Sequence, residues 1–136
     1  MRSLSLQSEV ADVIKINTEK AMMLHRLLTA ETGGDPNIRD AALLDSALES
    51  AHQTFGGVEL YPTTEEKGAR IGFSLISNHA FVDGNKRIGM LVMMTFLEVN
   101  GARIRPTVES VFKTGLAVAA GEMDYEALLA WVRENR

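Results

Sequence analysis

The chain of 136 residues contains no cysteine. That excludes disulfides, thiolate zinc sites, iron–sulfur ligation and thiol nucleophiles together, leaving His and carboxylates as the side chains able to hold a metal. No apolar run approaches the roughly 18–20 residues of a membrane-spanning helix. The start, Met1-Arg2-Ser3-Leu4-Ser5-Leu6, has neither the apolar centre nor the cleavage site of a secretory signal. The expectation is a soluble, cytoplasmic protein with no membrane partner. Positive charge is also short, with 14 Lys and Arg against 18 Asp and Glu and a formal net charge of −4. Nucleic-acid binding relies on a basic surface that displaces counterions from phosphates, so no direct nucleic-acid contact is expected. Any anion this chain binds needs a local site. Repeats and low-complexity tracts are absent, and the length suits one domain around one core.

What is present is a succession of helix signals. Asn17 or Thr18 can cap a helix running to Glu31, with Ala21, Leu24 and Leu28 on one face and Gly33-Gly34 as its end. Asp40 caps a second, through about Gln53, whose stripe is Leu43, Leu44, Ala47, Leu48 and Ala51. The stretch Phe55 to Pro62 pairs two glycines with alternating apolar and polar residues and reads as a small extended flap. Thr63-Thr64-Glu65-Glu66 has the form of a capping box opening a helix to about His79, with Ile71, Leu75 and Ile76 inward. Gly68 and Gly72 in that helix point to close approach of another helix.

A helix from about Asn85 to Asn100-Gly101 is apolar nearly all round, which predicts the central, buried one. Thr107 caps a helix to about Ala120, and Asp124 caps a last one, Tyr125 to about Asn135. Residues 1–15 mix strand-like and helix-like spacing and read as an N-terminal extension of uncertain form, leaving 16–136 as the folded domain. The predicted architecture is all-α, with five to seven helices, one of them central, and a small flap.

One segment concentrates chemistry: His79-Ala80-Phe81-Val82-Asp83-Gly84-Asn85-Lys86-Arg87. The amides of Asn85, Lys86 and Arg87 lie at a helix start, where unpaired N–H groups and the helix dipole favour an anion. Lys86 and Arg87 add two full charges, and a guanidinium can grip phosphate through two parallel hydrogen bonds. Asp83 is a single carboxylate beside this anion site, the usual way of sharing magnesium with a phosphate. His79 is the nearby side chain whose ordinary pKa suits proton transfer near neutrality. Taken singly, each has an ordinary reading: a packed or capping histidine, an Asp-Gly turn, a solvated Lys-Arg pair. Two cations in a helix's first turn nevertheless oppose the dipole by about 0.3–1 kcal/mol each, a cost that an anion would offset. His25 and His52 read as packed residues, and Arg39, His52 and Tyr61 could line the site but have capping, packing or surface readings.

Residues His79 to Arg87 resemble the signature of the Fic/Doc (Fido) family, His-x-Phe-x-Asp/Glu-Gly/Ala-Asn-x-Arg, and all six specified positions match in order. The likeness extends to Thr32-Gly33-Gly34, Ile38-Arg39-Asp40, Leu43 to Leu48, Thr54 to Gly57 and Leu60 to Thr63, and favours the Doc (death-on-curing) branch, since Lys86 stands where nucleotidyl-transferring members have Gly. The resemblance implies a Fido fold with His79 as general base, Asp83 holding Mg2+, Gly84, Asn85 and Lys86 forming the anion hole, and Arg87 engaging the phosphates of ATP. Phe81 would anchor the loop. Val58, Glu59, Leu60 and Tyr61 would form the flap that aligns a target peptide by strand-like pairing.

Two departures from the AMP-transferring pattern bear on the activity. The second Arg of that pattern is Met90 here. In Doc such a cradle is associated with ATP bound in the reversed sense, so the resemblance implies transfer of the γ-phosphate to a Ser or Thr hydroxyl of a target protein. Elongation factor Tu is the target the likeness suggests, with arrested translation as the result. The family's inhibitory pattern Ser/Thr-x-x-x-Glu-Gly/Asn is also incomplete: Glu134 precedes Asn135, but Ala130 stands four residues before it. Inhibition is therefore expected from a Phd-like antitoxin, as in a type II toxin–antitoxin pair. The alternatives are AMP transfer to a protein hydroxyl, and a catalytically silent Fido module that binds a partner.

Overall fold

The structure is a computed structural model that describes residues 12–136. Positions 1–11 of the expected extension lie outside the described residues. Among the described residues six α-helices account for most of the fold: α1 Thr18–Thr32, α2 Ala41–Glu49, α3 Thr64–Asn78, α4 Asn85–Val99, α5 Val108–Ala119 and α6 Tyr125–Glu134. A 3₁₀ turn, Ser50–His52, continues α2, so the second helix ends as α earlier than its apolar stripe suggests. The only strands among the described residues are β1 Thr54–Phe55 and β2 Val58–Glu59, an antiparallel pair in the expected flap. The described residues are all-α apart from this pair.

The caps explain where the helices begin. Asn17, Asp40, Thr63, Thr107 and Asp124 each accept a hydrogen bond from a backbone N–H in the first turn of α1, α2, α3, α5 and α6 respectively. At α3 the capping box is complete, with Glu66 reaching back to the Thr63 amide at 2.9 Å. Helix α4 differs: Gly84 precedes it and no side chain caps it.

Helix α4 separates two packed groups. Ile88, Val92 and Phe96 face Ala21, Leu44, Leu48 and Leu75 of α1, α2 and α3. Met90, Met93 and Leu97 join Ala69 and Ile76 of α3 and Leu128 and Val132 of α6. A two-sided core of this kind places α4 at the centre, as its composition predicts. It is not covered all round, however. Leu91 and Met94 are only partly buried and line an open cleft beside α5.

Two further ties hold the periphery. Ile14 and Asn100 exchange hydrogen bonds of 2.8 and 2.9 Å, and Val13 and Ile16 pack on the core, fixing the described end of the expected extension to the C-terminus of α4. Lys67 on α3 is buried, and its ammonium donates to Glu59 Oε1 at 2.6 Å and to the Tyr61 carbonyl. It fastens the flap to the bundle from beneath. Phe55 and Val58, paired across the flap, are 80% and 68% exposed. No helix among the described residues is long and apolar enough to cross a membrane.

Candidate active site

The site is the connection between α3 and α4. His79 ends α3 with φ 53° and ψ 49°, the single left-handed non-glycine residue among those described. This conformation costs a side-chain-bearing residue about 1–2 kcal/mol, so the surrounding structure must impose it. Arg39 does so from outside the loop: its Nε donates to the His79 carbonyl at 2.7 Å and its Nη2 to the Asn78 carbonyl at 3.1 Å. The imidazole itself is exposed to solvent.

Beyond His79 the loop is clamped at three levels. The backbone of residues 37–40 runs beside it, with the Arg39 and Asp40 amides donating to the Ala80 carbonyl and the Val82 amide donating to the Asn37 carbonyl. Asn85 closes the loop through its side chain, accepting from the Phe81 amide and donating to the Phe81 carbonyl, both at 3.0 Å. Under the loop, Phe81 is 2% exposed and its ring stacks on His25 at a centroid distance of 3.9 Å. His25 is fully buried in α1 and bonds to the Asp83 carbonyl at 2.8 Å. A carbonyl only accepts, so His25 Nε2 carries the hydrogen.

Asp83 is exposed, and its Oδ1 accepts the Gly84 amide at 2.8 Å. Its Oδ2 faces Gly34, where a Cβ would lie 2.6 Å from that oxygen and 3.6 Å from Arg87 Nη2. Gly34 also has φ 105°, so both space and backbone exclude a side chain there. Lys86 and Arg87 occupy the first turn of α4, exposed to solvent, with no acidic residue beside them in that turn. The free N-terminus of α4, two cations and one carboxylate thus share one end of a cleft of about 400 Å³ between α4 and α5.

The arrangement fits magnesium shared with phosphate. Among the described residues no three His or carboxylate side chains gather into a metal cage. Asp83 alone offers a carboxylate, and Mg2+ characteristically takes one or two protein carboxylates, completing its octahedron with phosphate oxygens and water. The uncapped α4 terminus with Lys86 and Arg87 equally suits a polyphosphate.

The structure sorts the remaining candidates. Asp83, Gly84, Lys86 and Arg87 line one end of the cleft, His79 stands at the end of α3 outside that lining, and the Asn85 side chain is spent on holding the loop. Arg39 sits at the site but acts on the backbone of His79. His52 packs edge-on against Phe96, and burial followed by the charge of Lys15 depresses its pKa below the ordinary histidine value. Tyr61 packs edge-on against Tyr125, with Arg70 near its ring. Burial, with the charge of Glu66 adding to it, pushes the Tyr125 phenol up to about 12. Two contributors go beyond the sequence reading: His25, whose partner Asp83 is 58 positions away, and Gly34, read in the sequence as a helix end and part of the family likeness but not as the neighbour of Asp83.

Comparison with known proteins gives the family. A curated protein named Toxin Doc, from Mycolicibacterium smegmatis (strain ATCC 700084 / mc(2)155), is 43% identical over 72 residues, which are 53% of this chain and 55% of that protein. The chain spans about half the length of this relative. A family model described as the Fic/DOC family matches residues 15–97, more than half of the chain and the whole of the loop and its supports from α1 to α4. The chain belongs to the Fic/DOC family.

Proposed function

We propose that this chain is a Doc-like toxin that transfers the γ-phosphate of ATP to a Ser or Thr hydroxyl of a target protein and is restrained by a Phd-like antitoxin. The observation that carries the reading is the first turn of α4, where an uncapped helix terminus and the adjacent charges of Lys86 and Arg87 stand next to Asp83. Met90 follows one turn later, buried and apolar, where a second phosphate-binding Arg would serve AMP transfer. The likeness to Toxin Doc supports the toxin role and the antitoxin partner.

In this reading the exposed His79 imidazole accepts the proton of the target hydroxyl, while Arg39 fixes the backbone from which it projects. Asp83 would hold Mg2+, which when bound neutralises phosphate charge. The α4 amides, Lys86 and Arg87 hold the phosphate oxygens and stabilise the charge that builds on them during transfer. The flap, fastened through Lys67, offers Val58 to Tyr61 as a short edge against which a target segment pairs. Elongation factor Tu is the candidate target and translation the process stopped.

Incubation of the protein with elongation factor Tu and either α- or γ-labelled ATP tests the reading. Label on the target from the γ position alone is the expected result. Label from the α position would establish AMP transfer instead, and no label from either, with retained partner binding, would leave a silent binding module.

A further inference from the structure

Beside the flap, Arg70 of α3 carries a charge with no acidic partner among the described residues. Its Cζ lies over the Tyr61 ring at 5.7 Å from the centroid and over the Phe73 ring at 5.8 Å. The side chain is partly buried, and its Nε is buried with no hydrogen-bond partner. The neighbouring carboxylates are engaged elsewhere. Glu59 pairs with Lys67 at 2.6 Å, and Glu65 with Arg133 and Arg136. Glu66, one turn before Arg70 on the same face of α3, accepts from the Thr63 amide. A fully solvated arginine needs no counterion. One drawn partly out of water between two rings attracts an anion more strongly, because water and salt screen it less.

We infer that Arg70 selects the target: a segment lying along the flap presents an acidic side chain to this guanidinium, with Tyr61 and Phe73 as the walls of its pocket. The inference rests on the roles proposed above for the flap and His79 and adds a property of the substrate. Its spacing follows from the helix. Arg70 precedes His79 by nine residues, which is about 13 Å of helix rise. An extended segment covers that distance in about four residues. The substrate class is therefore a Ser or Thr with an Asp or Glu about four positions away. On a chain of net charge −4 an acidic segment meets no general attraction, so the preference is carried locally by this residue.

Fluorescently labelled peptides test the contact without any transfer step. Each has one Thr among neutral, strand-forming residues and a single Glu, placed at each position on either side in turn, with a Gln twin and a Lys twin. In fluorescence polarisation the full chain should bind a Glu peptide about fivefold more tightly than its Gln twin, with the largest difference about four positions from Thr and a smaller one at high salt. Arg70→Gln should remove the difference. Arg70→Glu should reverse it in favour of the Lys twin, a gain that a misfolded variant cannot show. Equal affinity for Glu and Gln peptides at every position, no binding of any peptide, or a Glu preference kept by Arg70→Gln would overturn the assignment. The same peptides with α- or γ-labelled ATP separate it from the proposed function. Transfer from neither label, with the Glu preference in binding intact, supports the Arg70 contact and counts against the transferase reading. Equal transfer to Glu and Gln twins counts against Arg70 alone.

Discussion

His25 donates to the carbonyl of Asp83 at 2.8 Å while its ring stacks on Phe81, so one buried side chain of α1 fixes both the apolar and the acidic residue of the loop between α3 and α4. His25 touches the loop's backbone rather than the solvent-facing site, which makes it a positioning residue. Replacement by Ala removes the donor and opens a cavity beneath Phe81, and should cost about 2–4 kcal/mol in urea unfolding. Phosphotransfer should fall in the residual folded protein, because the carboxylate of Asp83 loses its fixed backbone.

His79→Gly separates chemistry from stability. Glycine adopts the left-handed conformation at no steric cost but adds freedom to the unfolded chain, and these effects oppose each other at about 1 kcal/mol each. The thermal midpoint should therefore move little while transfer to the target is lost. A variant that still transfers phosphate would show that His79 is not the base.

Lys67→Met addresses the flap. Methionine is close to lysine in volume, and Glu59, half-exposed, can be rehydrated once its partner is gone, so the global stability should change by about 1 kcal/mol or less. The flap should loosen instead. Hydrogen exchange of the Leu60 amide, which donates to the Gln53 carbonyl at 3.0 Å, should speed up markedly while amides in α3 keep their protection. Equal exchange at Leu60 in both proteins would show that the ammonium does not hold the flap.

His52 gives a pH signature on the acid side. Its charged form is disfavoured in the folded protein, first by burial and then by Lys15, so its folded-state pKa lies below 6.5. Between that value and 6.5 the unfolded chain binds more protons, and stability therefore rises with pH through this window. The contribution is complete above pH 6.5 and declines as pH falls. Urea unfolding from pH 5 to 8 should show the decline, and His52→Gln should flatten it.

The helices were legible because each of their caps is a local signal: Asn17, Asp40, Thr63, Thr107 and Asp124 announce a terminus within three residues of the group they bind. The flap was legible from Gly56-Gly57 between strand-like residues, and the chemical segment from the contiguity of His79 to Arg87. What escaped the sequence depends on distant pairs. Arg39 reaches the His79 carbonyl across 40 positions, and Lys67 finds its partners in a flap whose fold had to be known first. The cleft escaped for another reason. Helix α4 is apolar on three sides, and composition alone cannot distinguish a side covered by core from one left open beside α5.

The glycines of the central pair bear on the site from a distance. A Cβ at Gly89 would lie 2.5 Å from Ile76 Cγ1 and 3.2 Å from the Gly72 carbonyl oxygen, and one at Gly72 would lie 2.9 Å from Met93 Sδ. Since α3 carries His79 at its end and α4 carries Lys86 and Arg87 at its start, the thickness of this seam sets the gap between the proposed proton acceptor and the proposed phosphate cradle. The loop bridges that gap without determining it. The seam acts as a gauge block for the proposed reaction: one methyl group added in the middle of the bundle would change the distance over which, in that reading, a phosphoryl group has to travel.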